Sequence, residues 1–177
     1  MWILEIVDVA TPLNLDQFGI RPLDTAFLIG ILISPVLHLG FDHLISNTMA
    51  LVVLGPLVAL TTKRFWLVTA VVVLLGGIGV WLTGGPGTIH IGASGIVYGY
   101  AAFLVTHGFA SRHPGRAVVG IIVALVYGGM VWGVLPIHAG VSWQAHLWGA
   151  VAGVAIAIYL GRRERRRSAP PPPRLRP

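Results

Sequence analysis

The strongest constraint on this chain is where its charges are missing. No Asp, Glu, Lys or Arg occurs from His43 to Thr62, from Phe65 to Ser111, or from Ala117 to Gly161. A transmembrane helix needs about 20 apolar residues, so the first run holds one span and each of the other two is long enough for a pair. The long runs are broken where helix-breaking residues gather, at Thr83-Gly84-Gly85-Pro86-Gly87 and at Leu135-Pro136-Ile137-His138-Ala139-Gly140. The spacing predicts helices over 41–61, 65–83, 94–110, 116–134 and 143–161. The expected fold class is therefore all-α, a polytopic membrane bundle with five complete transmembrane helices. Charged residues make up 10% of the chain, against roughly 25% in an average soluble domain.

The distribution of charge argues orientation and excludes a nucleic-acid partner, despite a net charge of +6. Lys63, Arg64, Arg112 and Arg116 fall in alternate short loops, and seven arginines from Arg162 onward lie after the last span. Eleven of the twelve basic residues thus share one face, with only Arg21 opposite. The positive-inside rule makes that face cytoplasmic, the C-terminus included, in a bacterial plasma membrane. Residues 162–177 read as a basic, proline-rich cytoplasmic tail able to meet anionic lipid headgroups. Without cysteine there is no disulfide, thiolate metal site or cysteine nucleophile.

The first 40 residues hold no stretch long enough to span. Met1–Ala10 covers about 15 Å at 1.5 Å per residue, half of a hydrocarbon core of about 30 Å. It reads as a partial first helix: either the native reading frame begins upstream, which is the expectation, or this is a shortened variant. Glu5 and Asp8 stand where a cleaved signal peptide would be basic and apolar, so none is expected. Ala26–Leu37 is apolar but too short to span and ends near Pro35.

Polar side chains are costly at membrane depth, which makes each a functional candidate. His43 and Asn47 are four residues apart and share one face of the first full helix. Gly92-Ala93-Ser94-Gly95 opens another helix, whose unpaired amides and positive dipole end favour negative charge. His146 opens the last helix, three residues before the small-residue stripe Gly149, Gly153, Ala157, which matches Gly95 and Gly99. Close packing of those stripes would bring Ser94 and His146 together. A serine needs a base to become a nucleophile, and imidazole suits that task. Tyr98, one turn below Ser94, could stack on the imidazole. His43, Asn47 and the Ser94 amide could receive an oxyanion. No Asp or Glu lies between Phe65 and Gly161, so a Ser–His dyad fits better than a triad.

Each of these residues also has a plainer reading alone. Ser94 could cap or pack a helix, His146 could hydrogen-bond to a neighbour, and His43 with Asn47 could join helices. His90 and His138 fall in outward loops, and His107 and His113 near the cytoplasmic loop, so surface or interfacial roles are expected for all four.

Taken in order, HLGFDHLISN (38–47), GASGIVYG (92–99) and AHLWGAVAG (145–153) resemble the rhomboid intramembrane serine proteases. The likeness runs from about Leu15 to Leu160. It implies Ser94 as nucleophile, His146 as general base, His43, Asn47 and the Ser94 amide as the oxyanion site, and Tyr98 packed on His146. His38, Gly92 and Gly95 are implied as supporting residues, residues 1–161 as the protease domain, and Ala26–Leu37 as the membrane-embedded loop between the family's first two helices. It also implies single-span membrane proteins as substrates, cut near the outer face where their helix unwinds readily. No metal or other cofactor is implied. The chain departs from the family in its short first helix and in lacking a Trp-Arg pair in the first loop. Two other readings remain: a catalytically silent relative that binds client helices, and a small transporter or haem-binding bundle using His43 and His146.

Overall fold

The computed structural model describes residues 1–137 and 140–168. His138 and residues 169–177 of the expected tail lie outside the described residues. Every regular element among the described residues is helical, and their one β-pairing is the isolated antiparallel bridge Ile20 to His90. A short helix α1 (Trp2–Ala10) leads through the 3-10 turns Leu15–Phe18 and Thr25–Phe27, helix α2 (Gly30–Ile33) and the 3-10 turn Ser34–Val36. The long helices follow: α3 (Phe41–Thr61), α4 (Phe65–Thr83), α5 (Ser94–Ser111), α6 (Pro114–Tyr127) and α7 (Trp143–Ser168). The broken, short helices between residues 25 and 36 agree with a segment too short to span.

Four stretches are long and apolar enough to cross a membrane: α3, α4, Pro114–Val134 and Trp143–Arg167. Of the five spans expected, α5 is not among these. It has 18 residues but includes Ser94, Tyr98, Thr106, His107 and Ser111, which it can carry because it packs against α3, α4, α6 and α7. Val97, Tyr100, Phe103 and Leu104 of α5 are buried with Leu54 and Val58 of α3, Val68 and Val72 of α4, Val123 of α6, and Ile156 and Leu160 of α7.

Lipid tails are as apolar as leucine, so helices in a bilayer are held by close packing and interhelical hydrogen bonds. The α5–α7 contact uses the first means. A Cβ added at Gly149 would run into the Gly95 carbonyl, and one at Gly153 into the Gly99 carbonyl. On the other side of α7, a Cβ at Gly76 of α4 would sit 3.5 Å from the Gly149 Cα. The Thr69 and Tyr100 hydroxyls, 2.6 Å apart, supply the second means between α4 and α5.

Two expected boundaries move. The predicted helix over 116–134 ends as α6 at Tyr127, and Gly128–Val134 continues as 3-10 helix. Gly128, Gly129 and Gly133 lower its α-helical propensity there. The last helix does not stop at 161 but runs on to Ser168, since Arg and Glu are good helix formers even where hydropathy has ended. That extension corrects the expectation for His107. It is fully buried, stacks on Phe103 at 4.8 Å and lies 3.6 Å from the Glu164 carboxylate, which also binds Arg116. His113 is exposed, as expected, and caps α6 by accepting from the Arg116 amide.

The glycine contacts predict that Gly153→Ala, which drives a methyl group into the Gly99 carbonyl, will destabilise the bundle by about 1–3 kcal/mol. Unfolding in mixed micelles would read this as a lower midpoint. An unchanged midpoint would mean that α5 and α7 are not in backbone contact.

Candidate active site

The loop before α5 is set by one glycine. Gly92 has φ +105°, a conformation that side chains disfavour. A Cβ there would lie 2.8 Å from His43 Nε2, so the His43 ring rests directly on this residue. The Gly92 amide donates to the Ser34 carbonyl at 2.9 Å, and the Ala93 amide to His38 Nε2 at 3.5 Å. Helix α5 then begins at Ser94. The amides of Ser94 and Gly95 have no partner among the described residues, as the first amides of a helix cannot be satisfied within it. Gly95 admits α7 closely: a Cβ there would stand 3.2 Å from the Ala145 carbonyl oxygen.

His146 is held by two contacts. Its ring stacks on Tyr98 with centroids 4.0 Å apart and planes 8° from parallel. Its Nδ1 lies 2.8 Å from the Gly133 carbonyl oxygen. A carbonyl can only accept, so Nδ1 donates, and in the neutral ring Nε2 keeps its lone pair. The Tyr98 hydroxyl donates to the Met130 carbonyl at 2.8 Å. Both stacked rings are thus gripped by the 3-10 segment Gly128–Val134.

Ser94, Tyr98, His146, His43 and Asn47 all line one cavity of about 1310 Å³. Asn47 is only 5% exposed and its Nδ2 donates to no group among the described residues. Leaving a buried donor unsatisfied costs about 1–3 kcal/mol, which marks the amide as kept open for something in the cavity. His38 is buried behind the site, its ring 5.1 Å from that of His43.

Sequence reasoning missed three contributors. The Gly133 and Met130 carbonyls carry no side-chain signal, and their stretch reads as plain helix. His90, expected at the surface, is instead buried at 8% exposure and lines the cavity. Its Nε2 is 2.8 Å from the Thr88 hydroxyl and its Nδ1 2.6 Å from the Ser142 hydroxyl, which accepts from the Ala145 amide at the start of α7. The pairing with Ile20 pulls His90 inward, with both backbone bonds at 2.9 Å.

Fold and site together define an integral membrane protein with a polar cavity, lined by a serine and a histidine, enclosed in a helical bundle. The rhomboid domain model matches residues 26–163. An uncharacterised protein of Mycobacterium tuberculosis is 43% identical over 178 residues, covering 96% of this chain and 74% of that protein. One of Mycobacterium leprae is also 43% identical, over 96% and 70%. The "Putative rhomboid protease YdcA" of Bacillus subtilis is 30% identical over 142 residues, 77% of this chain and 69% of that protein. The chain belongs to the rhomboid family.

Burial, and to a lesser degree His43, lower the His38 pKa from 6.5 to about 4. An unfolded chain binds this proton first, so the stability linked to a neutral His38 is complete above pH 6.5 and declines as pH falls toward 4. Unfolding midpoints across that range should fall with pH for the native chain and fall less for His38→Gln. Parallel profiles would contradict the assignment of His38 as acceptor for the Ala93 amide.

Proposed function

We propose that this protein is an intramembrane serine endopeptidase that cuts single-span membrane proteins with a Ser94–His146 dyad. The observation that carries the reading is the state of His146. Its Nδ1 is committed to a carbonyl and its ring to Tyr98, which leaves Nε2 to serve a cavity that Ser94 also lines. The Gly133 carbonyl takes the orienting role that a carboxylate has in a triad, without placing an anion in a membrane site.

The chemistry then balances with these groups. His146 Nε2 takes the Ser94 proton as Oγ bonds to the scissile carbonyl carbon, and the carbonyl electron pair moves to oxygen. Asn47 Nδ2, the His43 ring and the Ser94 amide donate to that oxyanion. The proton passes from Nε2 to the leaving amine as the C–N bond breaks, leaving an acyl group on Ser94. Water, deprotonated by the same Nε2, releases it and restores the hydroxyl.

In this reading α5 also crosses the bilayer, shielded by its neighbours, and completes a set of five spans. The arginine-rich end of the bundle is cytoplasmic and the cavity opens toward the outer face. A peptide bond inside a regular helix is shielded, so the substrate must present unwound backbone, for which the cavity offers water and polar partners.

Cleavage of a single-span substrate in liposomes tests the proposal. Ser94→Ala and His146→Ala should each lose activity by at least about 1000-fold, as removal of a dyad member does elsewhere. Gly133→Ala, whose Cβ would press on the Tyr98 hydroxyl and stand 3.1 Å from His146 Nδ1, should lower kcat more than it changes KM. Equal turnover by all four chains would refute the dyad.

A further inference from the structure

Among the described residues, Asp16 is the one carboxylate that lines the cavity, and no Lys or Arg lines it. It sits in the 3-10 turn Leu15–Phe18, half-buried. The two acids nearest to it in effect are Glu5 and Asp8 of α1. Both of these are engaged: Glu5 accepts from the Gly40 amide at 2.7 Å and Asp8 from the Leu15 amide at 2.5 Å. The Asp16 carboxylate has no such partner among the described residues. Arg21, the basic residue nearest in sequence, binds the Gln17 carbonyl and covers the Phe27 ring at 3.7 Å.

The turn is not a loose appendage. The Asp16 carbonyl accepts from the Gly19 amide at 3.0 Å, and the next residue, Ile20, pairs with His90 in the loop that leads to Ser94. Leu23 donates to the Trp81 carbonyl at 3.0 Å. An anion thus stands in the wall of a cavity that the unpartnered Asn47 amide also lines. The buried Asn47 amide calls for an acceptor, and the Asp16 carboxylate, without a cationic partner among the described residues, favours an occupant that also brings a cation.

We infer that Asp16 selects substrates, favouring membrane segments that carry a lysine or arginine on the outward flank of the cleaved bond. The inference rests on the proteolytic reading above and adds the substrate's charge to it. The selection is discriminating because lysine and arginine gather on the cytoplasmic flanks of membrane proteins and are scarce on the outward ones. An opposite charge about 4 Å away in a half-buried site of intermediate dielectric is worth at least about a tenfold preference.

Selection should also depend on pH. Burial, then Asp8 and Glu5, raise the Asp16 pKa to about 6. The carboxylate is charged at pH 7.5 and neutral at pH 5, so the preference fades as pH falls through 6. The other groups that face the cavity or its wall are Glu5, Asp8, Arg21, His43, His90 and His146. A histidine of the wall that gains a proton also repels a substrate cation, so the part due to Asp16 is the difference between the native and Asp16→Asn pH profiles.

The test uses three peptides of one single-span sequence that differ in one outward-flank residue, Lys, Gln or Glu. Their affinities are measured for the full-length Ser94→Ala chain in nanodiscs, and their cleavage for the native chain. The expected result is a Lys:Glu affinity ratio of about ten at pH 7.5, falling to about one in an added Asp16→Asn change. The Lys:Gln ratio should fall on acidification to pH 5, and should fall less in the Asp16→Asn chain. A Lys:Glu ratio near one at pH 7.5, or a ratio that Asp16→Asn and acid leave unchanged, would overturn the inference. Because affinity is read on the Ser94→Ala chain, absent cleavage with the ratio intact would count against proteolysis alone. Cleavage of the Gln peptide with a flat ratio would count against charge selection alone.

Discussion

The backbone contact between α5 and α7 is the feature on which the rest of the molecule depends. With glycine at 95, 99, 149 and 153, no side chain separates the two helices at those levels. A bilayer offers no hydrophobic drive to bring helices together, so dispersion at short range must do it, and dispersion falls steeply with any added gap. The same contact places the first turn of α7 beside the first turn of α5. A serine on one rod and an imidazole on the other then line one cavity, although 51 positions separate Ser94 from His146.

The electrostatics of the cavity follow from its location. A carboxylate beside the histidine would be expensive at membrane depth. A peptide carbonyl supplies the same acceptor without a net charge, and the 3-10 segment after α6 delivers two of them, from Met130 and Gly133, to the stacked rings. The one carboxylate that lines the cavity among the described residues, Asp16, is on a turn outside the long helices and is only half-buried.

Much of this was legible in the residues, for identifiable reasons. Charge-free runs and glycine-proline breaks carry the bounds of α3 and α4 directly, and the start of α5 at Ser94 follows from the loop before it. The small-residue stripes carry the α5–α7 pairing, and residue spacing carries the stack of Tyr98 on His146. What was hidden has a common cause: it depends on backbone groups or on distant pairing. Hydropathy cannot see that α6 tightens into a 3-10 turn, nor that α7 outlasts its apolar stretch and so covers His107. Nor does any local pattern announce that Ile20 pairs with His90 and draws that histidine into the cavity wall. The role of the site residues themselves remains a reading of their chemistry.

The central claim, that His146 activates Ser94, is tested most directly by a fluorophosphonate probe with mass-spectrometric mapping of the adduct. The account predicts one adduct, on Ser94, formed by the native chain and lost when His146 is replaced by alanine. An adduct that forms equally well without His146, or none on Ser94 in the folded native chain, would contradict it.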